Sequence, residues 1–212
     1  MPTKQKTAVE NGQAAHMRDQ ILEASLKLFF EQGFRGTSVR EITLACGVTP
    51  GALYNHFPSK EDVLENLIRA TTSEGHEYIQ GEVERAPQDP VSRLYAAARS
   101  STLWNTRHRA AVLVATFEYI HLPEDGRARV VAKRRELRVW MEKIIQEGVD
   151  AGLLTPPETG GRNKIKLVAT AIANIALRAS DVFGPTHTLS EERIADFHAE
   201  LVLNMLQAKL PA

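Results

Sequence analysis

Arg40, Thr49, Pro50, Gly51, Tyr54, His56 and Lys60 lie close together in the sequence, and their chemistry suits a surface that meets a nucleic-acid duplex. A guanidinium such as Arg40 can bond a guanine edge or a phosphate. Thr49 offers a hydroxyl, Pro50 an apolar surface for a thymine methyl, and Gly51 a backbone free to approach closely. Tyr54 and His56 can donate to phosphates. Lys60 brings a positive charge to the same backbone, which positions a protein without reading sequence. Ser38 belongs with this group, because it opens a helix whose free N–H groups can face a phosphate.

Such groups act together only if short helices present them on one side, and the sequence supplies the punctuation. Ser38-Val39-Arg40-Glu41 is a capping box, so a helix starts at Ser38 and runs to Cys46-Gly47. Thr49-Pro50 is an N-cap followed by proline at the first helical position, so a second short helix runs to Phe57 and stops before Pro58. A turn of three or four residues containing glycine joins them, which are helix-turn-helix dimensions. Val48 is placed to plug the angle, and Ile42, Ala45, Leu53 and Phe57 to share a core with Leu28 and Phe29. An earlier helix from about His16 to Gln32, ended by Gly33, completes a three-helix head.

The run Glu31-Gln32-Gly33-Phe34-Arg35-Gly36-Thr37-Ser38-Val39-Arg40-Glu41-Ile42, continued by Ala45-Cys46-Gly47-Val48-Thr49-Pro50-Gly51-Ala52-Leu53-Tyr54-Asn55-His56-Phe57-Pro58-Ser59-Lys60, resembles the DNA-binding domain of the TetR family of bacterial transcriptional regulators. The likeness spans about His16 to Leu64. It implies an all-α fold of about nine helices, with an N-terminal helix-turn-helix domain followed by a larger helical domain for ligand binding and dimerisation. The expected divisions are a disordered tail over 1–15, a DNA-binding domain over 16–62 and a ligand-binding and dimerisation domain over 63–212. The expected function is that of a cytoplasmic repressor, released from a palindromic double-stranded DNA operator by a small-molecule effector. Ser38, Arg40, Thr49, Pro50, Gly51, Tyr54, His56 and Lys60 are its expected DNA-binding residues.

The remainder of the chain reads as helices over about 59–85, 89–106, 108–120, 124–151, 162–183 and 190–208, with no period-two alternation that would mark strands. Several carry apolar faces, which include Leu137, with the occasional polar groups Ser101, Glu118 and Asn174. An apolar cavity with a few polar anchors is what a ligand needs, and Trp104, Phe117, Trp140 and Asn174 are the expected ligand-binding residues. The helix over 124–151 is basic from Arg127 to Lys143. A solvated face accounts for this, with an anionic ligand group docked between helices as the alternative. The stretch from Arg107 to Ala151, with its Gln-Glu-Gly-Val-Asp-Ala-Gly-Leu-Leu ending, is similar to family members that sense acyl-CoA thioesters or other lipid-like effectors, and the region after Asn174-Ile175-Ala176-Leu177-Arg178 departs from them in lacking their aromatic run before the loop. Apolar stripes at Ile165, Val168, Ala169, Ile172, Ala176, Ala179 and Val182, and at Ile194, Phe197, Leu201 and Met205, are placed to pair two chains as a homodimer through the last two helices.

Lys and Arg number 26 and Asp and Glu number 26, so bulk charge does not announce a nucleic-acid partner and local pattern carries the case. One cysteine, Cys46, excludes an intramolecular disulfide and a zinc site built from thiols. There is no Gly-x-Ser-x-Gly, no His-Glu-x-x-His and no phosphate-cradling glycine loop, so neither an enzyme nor a cofactor or metal site is expected. No apolar run reaches the ~20 residues that a membrane span requires.

Overall fold

The computed structural model describes residues 3–179, 189–208 and 210, with side chains from residue 15 onward. The described residues form nine helices and no strand. These are α1 (Thr3–Gly36), α2 (Val39–Ala45), α3 (Pro50–Tyr54), α4 (Lys60–Arg85), α5 (Pro90–Arg107), α6 (Arg109–Phe117), α7 (Glu124–Asp150), α8 (Lys164–Arg178) and α9 (Glu191–Met205). Two 3-10 turns, Glu118–His121 and Glu158–Asn163, precede α7 and α8.

The helix starts reflect local chemistry. Ser38 closes a full capping box on α2, accepting from the Glu41 N–H at 3.2 Å while the Glu41 carboxylate accepts the Ser38 N–H at 2.7 Å. At the head of α4 the Asp62 N–H donates to the Ser59 hydroxyl at 3.1 Å, and that hydroxyl donates to the Asp62 carboxylate at 2.6 Å. Asp89 accepts from the Val91 and Ser92 N–H groups ahead of Pro90, the first residue of α5. Gly47 takes φ +68, a left-handed turn that an L side chain resists, and so sets the bend between α2 and α3.

Two expectations shift. Helix α1 starts at Thr3 and runs through the segment expected to be a disordered tail, which is rich in the good helix formers Ala, Gln, Lys and Glu. The helix expected over 108–120 gives way after Phe117 to the turn Glu118–His121. The end of the helix expected to reach Phe183, with Val182 and the loop after it, lies outside the described residues.

The chain divides into two compact units, Met1–Thr71 with Ala110–Val130, and Thr72–Arg109 with Val131–Ala212. The first is larger than the head expected over 16–62. Val63, Leu64, Leu67 and Ile68 of α4 and Val114, Ala115, Leu122 and Val130 share one apolar core with Ile21, Phe29, Ile42, Leu53 and Phe57. Burying that area draws the first half of α4 and the α6–α7 corner into the unit that contains the helix-turn-helix. The second unit has its own core, in which Leu94, Ala97 and Ala98 of α5 meet Ile144 and Ile145 of α7, Ile172 of α8 and Val202, Leu203 and Leu206 of the α9 region.

Candidate nucleic-acid interface and ligand cavity

In the first unit Ile42 and Leu53 are fully buried and Phe57 is 1% exposed, so α2 and α3 are anchored by one face each. The opposite faces hold the expected contact groups. Arg40, Thr49, Pro50 and Gly51 are exposed, and His56 is half-buried. Tyr54 is 52% exposed, so its ring is not a core element. The Arg40 guanidinium has no partner among the described residues. Thr49 caps α3 through its backbone geometry alone and leaves its hydroxyl unspent. Ala45, expected in the shared core, is exposed instead, because the inward face of α2 runs through Ile42, Thr43 and the half-buried Cys46.

Ser38 and Lys60 also make bonds within the chain. The Ser38 hydroxyl sits 2.7 Å from the Glu41 carboxylate, and that bond, with the Ser38 backbone N–H and Gln32, holds Glu41 below its ordinary value. The Lys60 ammonium donates to the Phe34 carbonyl at 2.8 Å and the Thr37 carbonyl at 2.6 Å, and lies 4.1 Å from the Phe34 ring centre. These carbonyls lie at and just past the C-terminal end of α1, where a cation satisfies them well. Lys60→Met is therefore expected to lower unfolding stability by about 1.5–3 kcal/mol, as for a charged hydrogen bond. The salt dependence of DNA binding should not change, as read from denaturant melts and affinity at several salt concentrations. A salt slope reduced by about one, with unaltered stability, would return Lys60 to the phosphate role.

Two exposed groups escaped the sequence reading. Asn55 is the C-cap of α3, between Tyr54 and His56, and the burial of Leu53 and Phe57 four residues apart was the signal that places it outward. Leu44 is 78% exposed, one turn beyond Arg40 on α2. Cys46 is half-buried. Its thiol donates to the Gln20 carbonyl at 3.5 Å and burial pushes its pKa up, which keeps it protonated and inert.

The second unit holds a cavity of about 470 Å³, lined by Leu137 and Met141 of α7, Ile172 and Asn174 of α8, Ser101 of α5 and Thr72 of α4. Arg134, Arg135 and Arg138 also line it, and none of its lining residues is a carboxylate. Arg135 is exposed and forms no ion pair among the described residues, while Arg138 pairs with Glu142. Of the four expected ligand residues, Asn174 lines this cavity and the other three do not. Trp104 stacks on His108 at 3.7 Å between ring centres and lies near Tyr78 at 5.7 Å. Trp140 faces His76 at 6.2 Å. Phe117 is exposed and belongs to the first unit. Burial holds the His76 ring below its ordinary pKa, and its Nε2 is buried without a hydrogen-bond partner among the described residues.

Most of the first expected dimer stripe, and Ile194 of the second, are internal. Val168, Ala169, Ile172, Ala176, Ala179 and Ile194 are buried within the chain's own core. Phe197 and Leu201 of the second stripe are outward, as is Leu167, which belongs to neither expected stripe; Phe197 is 63% and Leu167 56% exposed.

Residues 21–67 match the family model for bacterial regulatory proteins of the tetR family, and residues 87–206 match that for the Tetracyclin repressor-like C-terminal domain. The chain belongs to the TetR family. The HTH-type transcriptional repressor KstR2 of Mycolicibacterium smegmatis (strain ATCC 700084 / mc(2)155) is 25% identical over 90% of this chain and 91% of its own length. AibR, solved with isovaleryl coenzyme A and operator DNA, is 26% identical with a TM-score of 0.78, over 91% of this chain and 100% of that one. A tetR-family regulatory protein from Rhodococcus RHA1 is 26% identical with a TM-score of 0.76, over 90% and 96%. This TetR-family chain is thus an all-helical DNA-binding transcriptional regulator, of a family that regulates rather than catalyses. Among its described residues no helix is long and apolar enough to cross a membrane.

Proposed function

We propose that the chain is a cytoplasmic repressor that holds a palindromic operator as a homodimer and releases it when an acyl-CoA or similar lipid-like effector enters the cavity of the second unit. DNA is engaged through Arg40, Thr49, Pro50, Gly51, Tyr54 and His56, with Asn55 beside them. The dimer forms through the faces of α8 and α9 that carry Leu167, Phe197 and Leu201, since large exposed apolar groups call for a partner surface.

The carrying observation is the composition of the cavity. Leu137, Met141 and Ile172 give it an apolar wall, and Arg134, Arg135 and Arg138 line it as well, with Arg135 exposed and in no ion pair among the described residues. An acyl chain carrying an anionic group matches both halves, because guanidinium forks bind carboxylate and phosphate well. AibR, which is similar across nearly the whole chain, takes isovaleryl coenzyme A. Asn174 supplies a polar anchor. Of the other expected ligand groups, Trp140 packs against the core of the second unit and Trp104 stacks on His108.

The test is operator affinity at fixed salt, on DNA from immediately upstream of the chain's own coding region. It is measured with a panel of acyl-CoA thioesters from isovaleryl-CoA upward and with free coenzyme A as control. At least one thioester should weaken binding tenfold or more, equivalent to about 1.4 kcal/mol of differential affinity between the two states. Free coenzyme A should not, and Arg135→Glu should abolish the response. If no thioester shifts the affinity, this effector class is wrong.

A further inference from the structure

We propose that Glu118 is a positioning residue for DNA reading: its carboxylate, delivered by the turn between α6 and α7, fixes the end of α1 and with it the start of the helix-turn-helix. The inference rests on the family's DNA binding and is independent of the effector class.

Gly33 interrupts α1 with φ +76 and ψ 163, so the next residue's N–H is turned away from the carbonyl one helical turn earlier. Phe34 is 5% exposed, and a buried backbone N–H needs an acceptor. Glu118 provides it, with Oε2 at 3.2 Å from the Phe34 nitrogen. The same oxygen lies 3.3 Å from Nε2 of His121, and the His121 ring stacks on the Phe34 ring at 5.5 Å between centres and 15° between planes. Lys60 takes the Phe34 carbonyl and covers the ring as well. The N–H, ring and carbonyl of one residue are therefore each held by a separate side chain.

The residues just after Phe34 give this clamp its function. Thr37 bonds back to the Gly33 carbonyl at 2.9 Å, and Ser38, the next residue, is the N-cap of α2. A displacement of Phe34 is carried along this short link to α2 and so to Arg40. Glu118 and His121 lie within Ala110–Val130, a segment whose ends continue directly into the second unit at Arg109 and Val131. The chain thus has a covalent line to the reading head that ends at Glu118, besides the one that runs along α4 to Lys60.

The experiment uses the full-length chain and a duplex that the wild-type protein selects from a random pool. Affinity and thermal melting are measured for wild type, Glu118→Ala and Glu118→Gln, and hydrogen exchange of the Phe34 amide is followed by NMR. Glu118→Ala should bind roughly tenfold more weakly at temperatures well below its melting point, the size of a lost hydrogen bond to a charged group. Glu118→Gln keeps an oxygen for the Phe34 N–H and should stay within about threefold of wild type. Phe34 exchange should be slow in wild type and faster in Glu118→Ala, with α8 and α9 amides unchanged. Wild-type affinity in Glu118→Ala, equal weakening in both variants, or an unprotected Phe34 amide in wild type would each overturn the assignment. Should Glu118→Ala fail to fold, the glutamine variant and wild-type Phe34 exchange decide it.

Discussion

Phe57→Ala should remove about 3–5 kcal/mol of stability, the range for truncating a buried phenylalanine to a methyl group. Phe57 is 1% exposed, closes the core of the first unit with Ile42 and Leu53, and carries the Arg18 guanidinium 4.9 Å from its ring centre. Domains hold only about 5–15 kcal/mol in total, so the loss approaches the margin of a unit this size. Because α3 is a single short helix with one fully buried side chain, Leu53, it cannot keep its orientation once its neighbour collapses. DNA retention should disappear, and the denaturant midpoint should fall at unchanged slope. A midpoint shift worth less than about 1 kcal/mol would mean that the ring is not a keystone of this core.

Arg40→Ala should have the opposite signature, with stability kept and DNA affinity lost. The guanidinium is exposed and has no partner among the described residues, so truncating it removes nothing from the fold. On the duplex it should cost about 1–3 kcal/mol, roughly 5- to 150-fold in affinity. The two roles left open by the sequence separate cleanly. A base-edge contact relaxes specificity at one position of the site, whereas a phosphate contact weakens all sequences alike and lowers the salt slope by about one. Binding to the full set of single-base variants at two salt concentrations reads both. Undiminished affinity on every duplex would remove Arg40 from the interface. Together with Lys60→Met, this separates an arginine expected to meet DNA from a lysine expected to act by bonding the end of α1.

The contrast marks what the sequence makes legible. Capping and breaking signals act over a few residues, so Ser38, Gly47, Thr49-Pro50, Ser59 and Asp89 locate helix starts and the central bend without tertiary information. The expected contact set from Arg40 to His56 comes from side-chain chemistry and the family resemblance, and all of it but the half-buried His56 is exposed. Lys60 reads as a phosphate ligand because it stands just beyond Tyr54 and His56 at a helix start, whereas the bonds its ammonium makes within the chain, to carbonyls 23 and 26 residues earlier, leave no local signal. Glu118 looked like a polar anchor on an apolar face, but the 3-10 turn rotates it toward Phe34. Trp104 and Trp140 carry enough apolar area to suit a ligand or a core, and only packing separates the two. The assignment of Ala110–Val130 to the first unit is equally non-local, since its apolar residues have the same helical spacing whichever core they enter.

Gly75, midway along α4, is where the Trp104 indole comes to rest. A methyl group added at that glycine would lie 2.6 Å from the indole Nε1 and 3.0 Å from Cε2, closer than atoms tolerate. Positions 75 and 104 are consequently a lock-and-tenon pair that must be inherited together. A lineage that acquires alanine at the first is expected to carry a smaller ring or an aliphatic residue at the second, so the two columns should covary among descendants of this regulator even as its ligand specificity drifts.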